Sequence, residues 1–218
     1  LNFPKSQRNQ GGSLPSSRRD LMPLPNSTWK AIEDILLNTK QVIKNVKGEM
    51  KTTSLANEYC LFFLICRFTG LRKEEVASLT LGQLVKPTGD KKMLRVGVGA
   101  EYGSLTKDKG GDNKSRKTII PAATMQMLWS YSRSDRYQKR LAKFKELCKN
   151  KRDSEEHAYF ASEDGVDENK KYLFISATGK PFFTKLNDLN ARWGEIKNTI
   201  EHVQGIKTDA VIHNLRSS

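Results

Sequence analysis

The sequence predicts an α+β fold that is mainly helical and carries a small antiparallel β-sheet. Apolar residues recur at helical spacing in several segments, of which 122–151 is the longest. Two short segments, 93–98 and 117–121, instead alternate or are rich in β-branched residues, which is typical of strands. At 218 residues the chain is long enough for one large domain, or for one domain with a tail.

The folded part is predicted to begin near residue 29. Residues 1–28 are rich in Pro, Ser, Gly, Gln and Arg without a sustained apolar period, so we expect a flexible basic leader or interdomain linker there. Residues 29–218 form the predicted domain. Asn26-Ser27-Thr28 offers good N-cap residues, and the apolar residues from Trp29 onward predict an amphipathic helix that ends around Lys47-Gly48.

Two further helices are predicted to follow at the centre of the domain. Residues 55–68 are apolar on nearly every side, which is typical of a helix in the middle of a core. Thr69-Gly70 ends this helix, and a helical pattern restarts at once over 72–79. Arg72 is therefore expected at the junction of a buried helix, a tight glycine turn and a second helix.

A small antiparallel sheet with a basic hairpin is the next predicted feature. Residues 93–98, 104–106 and 117–121 predict three short strands. The segment 107–116 between the last two is rich in Lys, Gly, Asn and Asp, which favours a turn.

The rest of the chain is predicted to be mostly helical. One helix is expected over 122–151 and another around 185–200, where Leu, Trp and Ile share a stripe. The charged residues 152–170 predict a loop. Residues 172–175 form a short apolar run, and 178–181 (Thr-Gly-Lys-Pro) predicts a turn.

The charge balance points to a partner that carries phosphates. Lys and Arg number 38 against 24 Asp and Glu, a formal net charge of +14, and the sequence pI is about 9.7. Between residues 107 and 152 there are 14 basic and four acidic residues. This concentration favours a binding face, because each neutralised phosphate releases counterions; a solvated basic surface that serves solubility alone is the alternative.

The cysteines and the hydropathy exclude several other classes of protein. Cys60, Cys66 and Cys148 match neither a disulfide framework nor a zinc site, so buried reduced thiols in a cytoplasmic protein are expected. The longest strongly apolar run, residues 60–66, is too short to span a bilayer, and no secretory leader opens the chain. We therefore expect no membrane association.

Two pairs of residues could carry chemistry. Arg72 follows a glycine turn, with Glu75 three residues on, and this geometry would hold a guanidinium firmly enough to grip a phosphate with two hydrogen bonds. The alternative is an ordinary Arg–Glu pair on a helix face. Near the other end, His213 and Arg216 would share a face of a helix, although a solvated polar face has the same pattern.

Taken in order, these features resemble the tyrosine recombinases and phage-type integrases. The chain has a Thr-Gly-Leu-Arg-x-x-Glu block at 69–75, a basic hairpin, and a late His-x-Leu-Arg block at 213–216. Leu173-Phe174 ahead of Thr-Gly-Lys-Pro and a Trp-bearing helix is similar to the approach to the second block. The resemblance covers roughly residues 29–218 and implies the catalytic-domain fold of these DNA breaking-rejoining enzymes.

The resemblance implies a role for each candidate residue. Arg72 and Arg216 are similar to the two catalytic arginines that clamp the scissile phosphate, and His213 to the histidine that positions it and assists proton transfer. Glu75 is expected to support Arg72. The family's hairpin lysine, a general acid for the departing 5′ oxygen, corresponds to Lys107, with Lys109 as the alternative.

Four residues around the hairpin turn are expected to contact the DNA backbone. These are Lys109, Lys114, Arg116 and Lys117. An exposed basic turn with no partner is the alternative for them.

The resemblance also implies a complete enzyme that integrates or recombines the DNA of a mobile genetic element. It would bind double-stranded DNA, assemble on it as a homotetramer, and need no metal or other cofactor. A bacterial or phage protein of this kind is cytoplasmic and nucleoid-associated. The family's nucleophilic tyrosine lies downstream of the second arginine, and all six tyrosines of this chain precede Arg216. We therefore expect this fragment to be inactive alone.

Two other classes of function remain open from the sequence. A non-catalytic DNA-binding regulator, or a decayed integrase, shares the basic surface but does not require the arginines to converge. An RNA-binding protein is the third hypothesis, although no aromatic RNA-recognition motif is visible.

Overall fold

One buried helix organises the structure. The computed structural model describes residues 23–106, 115–153 and 167–216. The α-helices are α1 (Asn26–Asp34), α2 (Asn57–Thr69), α3 (Lys73–Ala77), α4 (Ala122–Arg133), α5 (Asp135–Asp153) and α6 (Asn187–Gln204). The strands are β1 (Gln41–Val46), β2 (Glu49–Ser54), β3 (Met93–Val98) and β4 (Arg116–Pro121). A π-helical turn (Ile35–Thr39) extends α1, and 3-10 helices occupy Leu81–Gln83, Ala100–Tyr102 and Ile212–Arg216.

The predicted α+β class, mainly helical with antiparallel pairing, is confirmed. The four strands form two separate antiparallel hairpins, β1–β2 and β3–β4. The first described helix begins at Asn26, three residues before the predicted start at Trp29, so Asn26-Ser27-Thr28 form its first turn and the N-cap position is Pro25. Most of the predicted leader, residues 1–22, lies outside the described residues.

Helix α2 lies at the centre of the core, as its sequence predicts. Every side chain from Cys60 to Cys66 is buried. A helix that is apolar all round can be stable only if neighbours cover every side. The π-helical turn, α3, α4, β4 and the last 3-10 helix all contact it. The structure around α2 therefore brings together segments from almost the whole described chain.

The prediction of one helix from Trp29 to Lys47-Gly48 is wrong beyond Thr39. Lys40 adopts a left-handed backbone conformation with φ 48°, and the chain then forms the β1–β2 hairpin. Val42, Ile43 and Val46 are β-branched and favour strands, and the two-residue turn Lys47-Gly48 has positive φ at both positions. Short β-branched runs fit a helical period as well as a strand, and only the turn geometry separates the two.

The second hairpin matches the sequence more closely. β3 pairs with β4 in an antiparallel register that places Met93 opposite Pro121 and Val98 opposite Arg116. The predicted third strand, residues 104–106, is absent; the Ser104 side chain instead accepts a hydrogen bond from the main-chain N–H of Gly99 at 3.0 Å. The hairpin is tied to the core because Thr118 Oγ1 donates to the carbonyl of Thr69, at the end of α2, at 2.9 Å.

The long helix predicted over 122–151 is two helices. Ser134 has an extended backbone (φ −68°, ψ 150°) and separates α4 from α5. Its hydroxyl accepts a hydrogen bond from the N–H of Tyr137 at 3.2 Å, as an N-cap residue does. Helix α5 reaches Asp153, slightly into the predicted loop. Residues 172–175 form isolated bridges with Thr80 and Pro181 instead of a full strand.

The cysteines and the helices agree with two simpler expectations. All three cysteines are buried thiols, and burial raises the pKa of the Cys60 thiol to about 11. Within the described ranges no helix is both long and apolar enough to cross a bilayer.

A buried carboxylate joins the first turn of α2 to α5. Glu58 accepts hydrogen bonds from Tyr131 Oη at 2.8 Å and from Arg136 Nε at 3.0 Å, and it also binds Arg140. Burial would raise the pKa of Glu58, but Arg136, Tyr131 and Arg140 outweigh it and hold this pKa below the ordinary value. The ion cluster fixes the distance between α2 and α5.

We expect Glu58→Gln to lower the free energy of unfolding by about 3 kcal/mol or more, because it leaves two arginines against a neutral, buried partner. Because the pKa of Glu58 is lowered by folding, its contribution is complete above the ordinary pKa of 4.5 and is lost as the pH falls below it. The difference in free energy of unfolding between the original chain and Glu58→Gln should therefore be largest near neutral pH and smaller in acid. Urea denaturation from neutral to acid pH measures it.

Glu49→Gln is the matched control. Glu49 also pairs with a cation, Lys51, at 3.1 Å, but the two side chains are 73% and 56% exposed. Such a pair contributes less than about 1 kcal/mol. Equal losses in the two variants would show that burial of Glu58 does not determine its effect.

Candidate functional site

The turn between α2 and α3 places Arg72 at the surface. Helix α2 ends because Gly70 adopts a left-handed conformation (φ 65°) and donates its N–H to the carbonyl of Cys66 at 3.2 Å. Thr69 Oγ1 accepts a hydrogen bond from the N–H of Leu71 at 3.2 Å. Leu71 is fully buried, which anchors the turn in the core. Arg72 is then the N-cap residue of α3, with an extended backbone.

Glu75 is the buried anion under this turn. Its Oε2 accepts the main-chain N–H of Arg72 at 2.7 Å, and the Arg116 guanidinium binds it through Nε at 3.1 Å and Nη2 at 2.6 Å. Thr106 donates its hydroxyl to Oε1 at 3.0 Å. Burial raises the pKa of Glu75, yet these donors together hold it below the ordinary value. Glu75 therefore supports Arg72 mainly through the main chain, since the Arg72 guanidinium lies 3.8 Å away.

The 3-10 helix Ile212–Arg216 supplies the other half of the site. Leu215 is fully buried and Ile212 almost so, which seats this segment against α2. The Asn214 side chain accepts the N–H of Val211 at 2.6 Å and so caps the segment. Arg216 Nε donates to the carbonyl of Gly70 at 2.8 Å, across 146 residues of sequence.

Arg72, His213 and Arg216 line one open cavity of about 270 Å³. Cationic and acidic side chains form its wall, and apolar side chains form its floor. The residues that line it are Cys66, Leu71, Arg72, Lys73, Glu74, Ile212, His213 and Arg216. His213 is exposed, and its Nδ1 lies 3.5 Å from an Arg216 Nη1. The sequence predicts that Arg72 and Arg216 meet at one site, and the structure brings them together.

The electrostatics of this cavity favour an anion. Burial lowers the pKa of Arg216, and the positive charge of Arg72 lowers it further. Both effects mean that the protonated guanidinium is less stable here than in water. An oxyanion bound between the two arginines would offset both costs, and a planar guanidinium suits its paired oxygens. The arrangement can therefore bind a phosphate or a similar tetrahedral anion.

The structure describes only two of the basic residues that were predicted to act at the hairpin, and these two differ in their contacts. Lys107, Lys109 and Lys114 lie outside the described residues. Lys117 is exposed on β4, where it can reach a partner. Arg116, predicted to contact the DNA backbone, directs two of its nitrogens to Glu75.

The tyrosines of the described chain are elsewhere, and none of them lines this cavity. Tyr131 donates to Glu58 at 2.8 Å and Tyr137 to the carbonyl of Tyr172 at 2.7 Å. Burial raises the pKa of Tyr137 to about 12, and that of Tyr131 also rises through burial and the charge of Glu58. These phenols are structural groups. Tyr159 lies outside the described residues.

Sequence reasoning missed three contributors to the site. Lys73 and Glu74 line the cavity, and their position beside Arg72 was the available indication. The Gly70 carbonyl accepts a hydrogen bond from Arg216. No sequence motif can reveal this contact, because every residue type has a main-chain carbonyl. Contacts of this kind depend on how distant segments pack.

No protein-family model, curated protein or solved structure matches the chain.

We expect Arg216→Met to weaken binding of sulfate, a tetrahedral dianion, by about tenfold or more, because it removes a charge-assisted donor from the cavity. Isothermal titration at constant ionic strength measures this loss. Far-UV circular dichroism checks that the segment around residue 216 still folds.

Arg95→Met removes the same charge from an exposed position on β3, away from the cavity. Sulfate binding should then change by less than about twofold. If both variants lost affinity equally, sulfate would be responding to net charge and not to the cavity.

Proposed function

We propose that this chain is the catalytic domain of a tyrosine-type site-specific recombinase, which cuts and rejoins duplex DNA by transesterification. One observation carries the proposal: Arg72, His213 and Arg216 line a single cavity. The turn that carries Arg72 and the segment that carries Arg216 are joined by the hydrogen bond from Arg216 to Gly70, which spans 146 residues of sequence. The ordered motifs that resemble this family place the same three residues in the phosphate-binding role. Motif order and spatial convergence are independent observations, and both favour this function.

In this reaction a tyrosine oxygen attacks the phosphorus of one DNA strand. A 3′-phosphotyrosine bond forms, the bond from phosphorus to the 5′ oxygen breaks, and the 5′ oxygen leaves with a proton. Lys107 is the proposed donor of that proton, with Lys109 as the alternative. Attack by a 5′ hydroxyl on the phosphotyrosine reverses these steps and rejoins the strand. Because the bond energy is kept in the intermediate, the reaction requires neither a nucleotide triphosphate nor a metal.

Arg72 and Arg216 would stabilise the transition state. Negative charge grows on the non-bridging oxygens as phosphorus becomes five-coordinate, and fixed cationic donors lower the energy of that state. The Arg216 guanidinium is already oriented by the Gly70 carbonyl, so little reorganisation is needed when DNA binds. His213, exposed beside Arg216, would position the phosphate and assist proton transfer.

The charge of the surface supports duplex DNA as the substrate. The exposed side of α5 carries Lys139, Lys143, Lys145 and Lys149. Lys117 is exposed on β4. The lysines on these two elements can each neutralise a backbone phosphate, which favours binding to a long polyanion over binding to a single small anion.

A DNA-binding regulator without catalysis would share this basic surface. It has no need for two arginines and a histidine at one cavity. The convergence therefore favours the enzyme.

We expect the product of the complete gene to form a covalent adduct with nicked duplex DNA. A pool of nicked duplexes of random sequence, probed for detergent-resistant protein–DNA complexes, supplies a substrate without knowledge of the target site. Arg72→Ala should lower adduct formation by about a hundredfold or more, because it removes a donor to the transition state.

Arg95→Ala, at the exposed position on β3, is the control and should keep adduct formation within about twofold of the original protein. Tight binding of duplex DNA without any adduct would exclude the recombinase and favour the regulator. The absence of duplex binding would exclude both.

A further inference from the structure

We propose that Arg116 is a positioning residue of the phosphate site and not a ligand of DNA. Its fork-shaped contact with Glu75 holds the Gly70–Arg72 turn, and the turn in turn orients Arg216. This inference rests on the proposed function of the cavity, since it assigns Arg116 a task in building that site.

The contact between Arg116 and Glu75 has the geometry of a strong pair. Two nitrogens of the guanidinium bind two oxygens of the carboxylate, at 3.1 Å and 2.6 Å. The Glu75 side chain is fully buried and that of Arg116 is 39% exposed. A two-point contact to a buried anion restricts the guanidinium far more than an exposed one-point pair does. Two of the five N–H donors of Arg116 are thereby directed to Glu75.

Glu75 also connects the strands to the turn. Thr106 and Arg116, which flank residues 107–114, both donate to this carboxylate. The main-chain N–H of Arg72 is a third donor to it, at 2.7 Å. One carboxylate thus fixes the N-terminus of α3 relative to the start of β4.

The orientation of the turn extends to the second arginine. Gly70 has a positive φ, and its carbonyl accepts Arg216 Nε at 2.8 Å. If Glu75 lost its charge, the hydrogen bond from Arg72 N–H would weaken and the turn would be free to shift. The Gly70 carbonyl would then no longer hold Arg216 in one place. Arg116 acts on the orientation of Arg216 through this sequence of contacts, and its positive charge also lowers the pKa of Arg216 directly.

The charged surroundings of Glu75 determine how the carboxylate responds to pH. Three arginines surround the Glu75 carboxylate. Arg72, at the start of the same helix, lies 3.8 Å away, Arg116 approaches from β4, and the charge of Glu75 also acts on Arg216 of the last 3-10 helix. Among the described residues, the Cys66 thiol of α2 is another titratable group that its charge reaches, and burial keeps that thiol neutral by raising its pKa. Among these groups Arg116 is the one that donates two hydrogen bonds to the carboxylate oxygens.

The test compares Arg116→Gln with the original chain across pH. Glutamine removes the cation, so burial should raise the pKa of Glu75 above its value in the original chain, by about one unit or more. Duplex DNA affinity, measured by fluorescence anisotropy at constant salt, should fall about twofold between roughly pH 8 and pH 5.5 relative to the original chain, because a rise of about one unit in this pKa protonates at most about half of Glu75 at pH 5.5. The slope of affinity against salt should stay the same at high pH, because no phosphate contact is lost.

Lys117→Gln is the matched control, since it removes one charge from the neighbouring residue of β4, whose side chain is exposed. A lysine that contacts a phosphate should lower the salt slope by about 0.9, equally at every pH. If Arg116→Gln behaved in that way, Arg116 would be a DNA ligand and the proposal would be wrong. The same pH dependence in both variants would also overturn it.

A second measurement does not need DNA. Carbon-13 NMR of the glutamate carboxyl groups follows the titration of Glu75 in the original chain, in Arg116→Gln and in Arg116→Lys. We expect the pKa of Glu75 to be lowest in the original chain, intermediate in Arg116→Lys, which keeps the cation without the fork, and highest in Arg116→Gln. The Arg216 Nε–H should exchange with water faster as Glu75 takes up its proton.

The two measurements separate failure of this inference from failure of the recombinase function. A chain that binds no DNA but shows the NMR changes keeps the positioning role and loses the proposed substrate. A chain that binds DNA with an unchanged Glu75 titration in both Arg116 variants loses the positioning role alone. Arg116→Lys also provides the comparison if Arg116→Gln does not fold.

Discussion

The carboxylate of Glu75 imposes the main constraint on this molecule. A fully buried anion is unstable unless hydrogen bonds and cations replace the water it has lost. The structure meets this requirement with donors from the turn after α2, from the segment before residue 107 and from β4. Thr106 and Arg116 are more than 30 residues from Arg72 in sequence, and satisfying one carboxylate brings these segments together. The position of the candidate site follows from this arrangement.

Helix α2 has a buried glutamate near each end, and the two have different consequences. Glu58, in the first turn, binds Arg136 and Arg140 of α5 and joins two helices inside the domain. Glu75, beyond the last turn, binds a strand and a turn beside an open cavity. About 17 Å of helix lie between Glu58 and the end of α2 at Thr69, given about 1.5 Å of rise per residue. The cavity is therefore built against an element whose position is fixed at both ends.

The sequence predicted those parts of the fold that depend on local pattern. The apolar run of α2 and the alternation of β3 specify burial and period directly, so both were predicted within a few residues. The β1–β2 hairpin was missed because Val42, Ile43 and Val46 fit a helix as well as a strand. The positive φ at Lys47 could not be predicted either, because lysine has no preference for that conformation. Likewise, Ser134 interrupts a helix that its neighbours would continue.

The site shows the same division between local and long-range information. Arg72 and Arg216 were found from motifs, because each motif is a short string with a recognisable order. The role of Arg116 could not be found in this way. A basic residue in a basic segment predicts contact with DNA, and only packing shows that its guanidinium binds Glu75, 41 residues away. Long-range ion pairs of this kind have no local pattern.

The hydrogen bond between Arg216 and Gly70 has a consequence for the synthesis of the protein. It closes a loop of 146 residues, and such a contact cannot form until its second partner has left the ribosome. Helix α2 and its turn emerge early, whereas the 3-10 helix Ile212–Arg216 emerges much later, at about 5–20 residues per second. During that interval a nascent chain carries Arg72 but not Arg216, so one wall of the cavity is missing. The cavity that both arginines line thus exists only in chains that have been translated past Arg216, which separates the appearance of the basic surface from the completion of the cavity.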